Sequence, residues 1–140
     1  EISGFKSFAK KTVLAFDGET GPYVQYSLVR CRSLLEKAGG AGKSSDLTKY
    51  PFALEEEQLI LVLSRFRAAL HMVRKENEPF HLTSYLIDLA KAFNKFYYQL
   101  PVLQASEESQ KNVRLQLVDA TRITLSNGLM LLGIPCPAER

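Results

Sequence analysis

The stretch Phe16-Asp-Gly-Glu-Thr-Gly-Pro-Tyr-Val-Gln-Tyr-Ser-Leu-Val-Arg-Cys-Arg32 decides how the chain is read. Gly18 and Gly21 punctuate a turn, and Pro22 stands where the first turn of a helix tolerates a residue without an N–H. At ~100° per residue, Tyr23, Tyr26 and Arg30 fall within roughly 60° of one another on that helix. Val24, Leu28, Cys31 and Leu35 form an aliphatic stripe centred roughly 135° away by the same arithmetic. One face therefore feeds a core, while the other presents two aromatic rings and a guanidinium. Two π-faces and a planar cation are what unstacked bases of single-stranded RNA bind.

Outward from that helix the pattern predicts an all-α fold, a bundle of about five helices. Phe5, Phe8, Ala9, Thr12 and Val13 predict a short helix over 5–15. The Tyr23 helix runs to about Ala38 and stops at Gly39-Gly40. A loop follows over 39–53, rich in glycine and serine and ending near Tyr50-Pro51. Leu59, Val62, Leu63, Phe66, Leu70 and Val73 predict one helix over 54–76. Pro79 opens the next, in which Leu82, Leu86, Leu89, Phe93, Phe96 and Leu100 recur by three and four. A last helix spans about Glu107 to Leu132, before Gly133 and Pro135. It carries two adjacent stripes, one through Leu115, Val118, Arg122, Leu125, Leu129 and Leu132, the other through Val113, Leu117, Ala120 and Thr124. So wide an apolar arc predicts packing on two sides, and hence a place at the centre of the bundle.

Composition sets bounds rather than a function. The 140 residues are 46% apolar and 24% charged, which fits one globular domain able to bury a sizeable core. The net charge of +3 comes from 18 basic and 15 acidic residues, too small an excess to imply nucleic acid by itself. Cys31 and Cys136 lie far apart without Cys-x-x-Cys spacing, which predicts free thiols and a reducing compartment. No apolar run approaches the ~20 residues of a membrane span. A cytoplasmic location without membrane contact is the expectation. The start at Glu1 rather than methionine predicts a piece of a longer chain.

No catalytic motif survives inspection. Gly42-Lys43-Ser44 has the ending of a phosphate-binding loop, but Lys37 stands where that loop needs its first glycine, and a helix precedes it instead of a strand. His71 and His81 have no partners at metal-ligand spacing, so no metal is expected, and His71 reads as a surface residue. Glu55-Glu56-Glu57 opens a helix, where negative charge suits the dipole, and reads as a solvated first turn. No catalytic residue is assigned.

Four segments in order carry a family resemblance across residues 13–140. Phe16 to Tyr26, with Arg30 one turn on, resembles the start of the C-terminal, DALR-type anticodon-binding domain of arginyl-tRNA synthetases, which are class I aminoacyl-tRNA synthetases. Glu78-Pro79-Phe-His-Leu-Thr-Ser-Tyr-Leu-Ile-Asp-Leu-Ala-Lys-Ala-Phe-Asn-Lys-Phe-Tyr97 is similar to a second family segment. Asp119-Ala-Thr-Arg122 is close to the Asp-Ala-Leu-Arg signature, with Thr121 for leucine, and Asn127 to Ile134 with Pro137 to Arg140 resembles the family's C-terminal end. The resemblance implies a helical bundle appended to a class I catalytic domain, with residues 1–15 ending the connector and 16–140 forming the anticodon-binding domain. It implies the anticodon loop of tRNA(Arg) as partner, together with the catalytic domain of the same chain. Every arginine codon has guanine in the middle, so the base to be read is the middle cytosine of the anticodon. The class I His-Ile-Gly-His and Lys-Met-Ser-Lys-Ser type signatures are absent, so ATP and magnesium belong to the parent enzyme and the fragment is expected to be an inactive monomer without a cofactor.

Tyr23, Tyr26, Arg30 and Tyr97 are the candidate RNA-binding residues. Each also has a plainer reading. The tyrosines could serve the core with their hydroxyls on backbone partners, and Arg30 could pair with Glu36. Tyr98 points away from the apolar stripe of its helix and could equally be a bare exposed aromatic. Gln25, on a third face, reads as a structural hydrogen-bonder, as do Asp119 and Arg122 within the bundle. Gly128 inside a helix predicts close helix packing. Two other identities stay open on the residues alone. One is a helical protein-interaction module with Tyr23 and Tyr26 as hot spots; the other is the related domain of a cysteinyl- or glycyl-tRNA synthetase.

Overall fold

The predicted apolar stripes meet in one core formed by five helical segments. They are α1 (Thr20–Ala38), α2 (Leu54–Ser64), α3 (Phe66–Glu76), α4 (Phe80–Gln99) and α5 (Glu108–Leu131), with no strand among the described residues. This computed structural model describes residues 20–137. The helix expected over 5–15, the connector placed at 1–15 and Gly18 lie outside the described residues, whereas Gly21, read as part of the same turn, is already the second residue of α1.

Local chemistry sets the boundaries. Gly133 ends α5 at φ 73°, in the left-handed region that glycine reaches without a Cβ penalty. Its N–H bonds the Met130 carbonyl at 3.0 Å and the Ile134 N–H bonds Leu129 at 2.9 Å, which closes the last turn. The single helix expected over 54–76 is broken at Arg65 (φ −89°, ψ 0°). Two side chains take the carbonyls there. The Ser64 hydroxyl donates to Leu61 O at 2.6 Å, and the Tyr85 hydroxyl donates to Val62 O at 2.8 Å. The Arg65 N–H turns back to Val62 O instead of continuing the ladder.

The helix expected at the centre was the last one. The structure gives that place to α4, which packs against α1, α2, α3 and α5, whereas α5 packs against α1, α2 and α4. Leu82, Leu86, Leu89, Phe93 and Phe96 of α4 are buried with Leu28 of α1, Leu59 of α2 and Leu125 and Leu129 of α5. Gly128 lets α5 approach α4 closely, for a Cβ there would lie 2.5 Å from the Leu86 Cδ2.

Glu56 corrects the reading of the acidic first turn. It is fully buried, and its carboxylate accepts from Tyr50 Oη at 2.8 Å, the Ala53 N–H at 2.7 Å and Arg114 Nε at 3.2 Å. Arg114, also buried, donates a further bond to Pro101 O at 2.7 Å. A buried charge keeps its ionised form only when paired and hydrogen-bonded in this way. The pair staples α2 to α5 and to the turn before α5. Asp119 and Arg122 bond each other along α5 at 2.8–2.9 Å, and the Thr121 hydroxyl is buried on the Leu117 carbonyl.

Candidate nucleic-acid interface

The Arg30 guanidinium organises the site. Its Nη1 donates to Asn94 Oδ1 at 2.7 Å, and its Nη2 donates to the hydroxyls of Tyr26 at 2.9 Å and Tyr98 at 3.2 Å. Its Cζ also lies 4.3 Å from the ring centroid of Tyr97, 4.8 Å from Tyr26 and 5.1 Å from Tyr98, all within the range of cation–π attraction. The i,i+4 spacing on α1 brings Tyr26 beside Arg30, and packing of α1 on α4 supplies the rest. Burial disfavours the Arg30 charge, but hydrogen bonds to Tyr98 and Tyr26 outweigh it and hold its pKa above the ordinary value. Arg30 therefore stays cationic across the ordinary pH range.

Asn94 lies beneath the guanidinium, 8% exposed. Its Nδ2 donates to Tyr23 Oη and to Ser27 Oγ, both at 3.0 Å, while its Oδ1 holds Arg30. Tyr23 is therefore half-buried and tied by its hydroxyl, with its ring packed against the core. Tyr97 stacks on Phe93 at 6.3 Å and 19°, and Tyr98 meets Tyr97 edge-on at 5.4 Å. Tyr26 and Tyr98 offer the open surface, at 56% and 71% exposure.

All four residues singled out from the sequence thus converge on one cluster. Arg30 pairs with Asn94 and two tyrosines rather than with Glu36. Tyr98 is an exposed aromatic, as its position on the helix allowed, and its hydroxyl also joins the cluster. Asn94 was not anticipated, although a signal existed: an amide between Phe93 and Phe96, on the buried side of its helix, requires partners. Gln25 is a structural bonder as read, donating to Pro135 O at 2.9 Å. Arg32 donates to Pro137 O, so the C-terminal tail is held on the far side of α1 from Arg30.

Among the described residues no group of three or more His, Cys, Asp or Glu could hold a metal ion. His81 bonds Glu76 at 2.5 Å, and His71 is exposed. Burial pushes the Cys31 thiol far above its ordinary pKa, so it is no nucleophile. No described helix is long and apolar enough to cross a membrane.

The class of protein defined here is an all-helical bundle that gathers three tyrosines around one guanidinium. The family is shown by comparison: the DALR anticodon binding domain matches residues 24–139, and the chain belongs to that family. It is 42% identical over 127 residues to an arginine–tRNA ligase of Clostridium botulinum, covering 91% of this chain and 22% of that protein. An arginine–tRNA ligase of Clostridium acetobutylicum is 44% identical over 132 residues, covering 94% of this chain and 23% of its own length. The solved structure of Thermus thermophilus arginyl-tRNA synthetase superimposes with a TM-score of 0.78 at 39% identity, over 89% of this chain and 22% of that one. The chain spans between a fifth and a quarter of the length of these relatives.

Proposed function

We propose that this domain reads the anticodon loop of tRNA(Arg) for an arginine–tRNA ligase, with Tyr23, Tyr26, Arg30 and Tyr97 forming the surface that meets RNA. The observation that carries the reading is the convergence of Tyr26, Tyr97 and Tyr98 on the Arg30 guanidinium, with contacts of 4.3–5.1 Å. Exposed rings such as Tyr26 offer a splayed base a stacking platform worth ~1–3 kcal/mol per base. Identity comes from the pairing edge of the middle cytosine, a base shared by all arginine anticodons. Uracil there exchanges an amine donor for a carbonyl acceptor and leaves site groups mispaired, at ~1–3 kcal/mol for each buried unsatisfied group.

The remaining parts of the reading concern the parent protein. Its catalytic domain, working in the cytoplasm with ATP and magnesium, activates arginine; the present chain acts as a monomeric reader without a cofactor and is inactive alone. The test is a titration of this chain with three stem-loops at one fixed salt concentration: the arginine anticodon, its middle-base uracil variant and a first-base variant. The middle-base change weakens binding at least tenfold more than the first-base change. Equal affinity for all three removes the claim of anticodon reading.

A further inference from the structure

Resting on that reading, we infer that Lys91 and Lys95 form a phosphate-binding ledge that carries the RNA strand into the tyrosine cluster. The cluster's own cation, Arg30, is tied to groups of the protein through both terminal nitrogens. Every donor direction that Arg30 uses is spent inside the protein, Nη1 on Asn94 and Nη2 on Tyr26 and Tyr98, while its face lies against Tyr97. A base that stacks there brings phosphates with it, and those phosphates need other partners.

Helix α4 supplies them. At ~100° and ~1.5 Å per residue, Lys91, Lys95 and Tyr98 fall within roughly 60° of one another and span ~10 Å along the axis. All three are exposed, and Tyr98 reaches the Arg30 guanidinium. Neither lysine makes a hydrogen bond or ion pair among the described residues. Asp88, one turn before Lys91 and also exposed, pairs with neither. Two unpaired ammonium groups one helical turn apart lead straight to an aromatic platform. That succession suits a single strand whose backbone follows the helix and whose base turns onto the tyrosines.

Charge alone does not explain the arrangement, because the chain has a second basic stripe for comparison. Arg67 and Arg74 are exposed one above the other on α3. That helix packs on the first half of α4, where Phe66 meets Tyr85 at 5.6 Å and Glu76 meets His81. By the rise of the helix, those contacts lie ~9–15 Å along α4 from Lys91 and ~15–25 Å from Lys95 and Tyr98. Removing two charges from α3 thus lowers the net charge equally without touching the ledge.

The experiment measures the affinity of the 140-residue chain for the arginine anticodon stem-loop from about 50 to about 200 mM salt, where each phosphate contact to a single strand adds ~0.7 to the logarithmic slope. Lys91→Gln with Lys95→Gln lowers the slope by ~1.4, so that salt costs this variant about sevenfold less affinity over the range than it costs the wild type. The discrimination between middle cytosine and middle uracil stays as in the wild type. Arg67→Gln with Arg74→Gln leaves the slope unchanged. If the lysine pair keeps the wild-type slope while discrimination persists, the ledge is refuted and the anticodon reading stands. The same holds if both pairs lower the slope equally, since net charge then accounts for the effect. A wild-type chain that binds no stem-loop refutes both.

Discussion

Asn94→Leu separates the geometry of the tyrosine cluster from the mere presence of its residues. The amide makes three hydrogen bonds, from Arg30 Nη1 at 2.7 Å and to Tyr23 Oη and Ser27 Oγ at 3.0 Å each. A net hydrogen bond contributes ~0.5–1.5 kcal/mol, and the one involving the guanidinium lies at the upper end. Leucine restores some of this through apolar burial, since position 94 is almost inaccessible. Ser27 keeps its own bond to the Tyr23 carbonyl at 3.1 Å, which limits the penalty for the buried hydroxyl. The expected net loss is about 1–3 kcal/mol, read by urea denaturation with an unchanged m-value. Stability alone does not establish the role, so a cycle with Arg30→Met is needed. If Asn94 holds Arg30 in its fork, the losses of stem-loop affinity in the two single variants overlap, with a coupling of ~1 kcal/mol or more. Additive losses within ~0.5 kcal/mol refute the argument that Asn94 acts through Arg30.

Arg114→Met leaves Glu56 fully buried with only Tyr50 and the Ala53 amide as partners, and is expected to cost ~3–5 kcal/mol in chemical denaturation; Glu56→Gln with Arg114→Met recovers most of that loss because no uncompensated charge remains. Alkaline pH gives the third test. Burial pushes Tyr50, aided by Glu56, and Tyr85 up to about 12. Their folded-state values lie above the ~10 of an unfolded tyrosine, so their contribution is intact below that value and disappears as pH rises through 12. Melts in urea across that window show a fall in stability that Tyr50→Phe with Tyr85→Phe flattens; an equally steep fall in the double variant refutes the assignment.

What helical periodicity disclosed about the site was confined to single helices, and Tyr97 on α4 entered through the family resemblance. Tyr26 and Arg30 were legible because a separation of four fixes their neighbourhood once the helix is recognised. Asn94 and Tyr98 lie 64 and 68 residues from Arg30, and no helical period reports a contact at that range. The same limit explains the errors in the fold. Three glutamates in a row read as solvent-facing, yet the middle one turns inward because Arg114, 58 residues on, supplies the opposite charge. The break at Arg65 leaves no glycine or proline in the sequence; beside the local Ser64 hydroxyl, the group on its carbonyls is the hydroxyl of Tyr85, more than twenty residues away.

The rival reading, a docking surface for a protein partner, predicts different electrostatics from those the cluster has. An arginine that anchors an acidic protein presents its fork outward, because a bidentate pair with a carboxylate needs two parallel N–H groups. Arg30 points both terminal nitrogens at partners of its own chain, one of them the nearly inaccessible Asn94. What remains exposed is the surface of Tyr26 and Tyr98, two rings held in place by a shared cation. Fixed rings lose little entropy when a flat ligand settles on them, and a nucleobase is such a ligand. The geometry therefore favours stacking over charge pairing, and leaves the phosphates to cations outside the cluster.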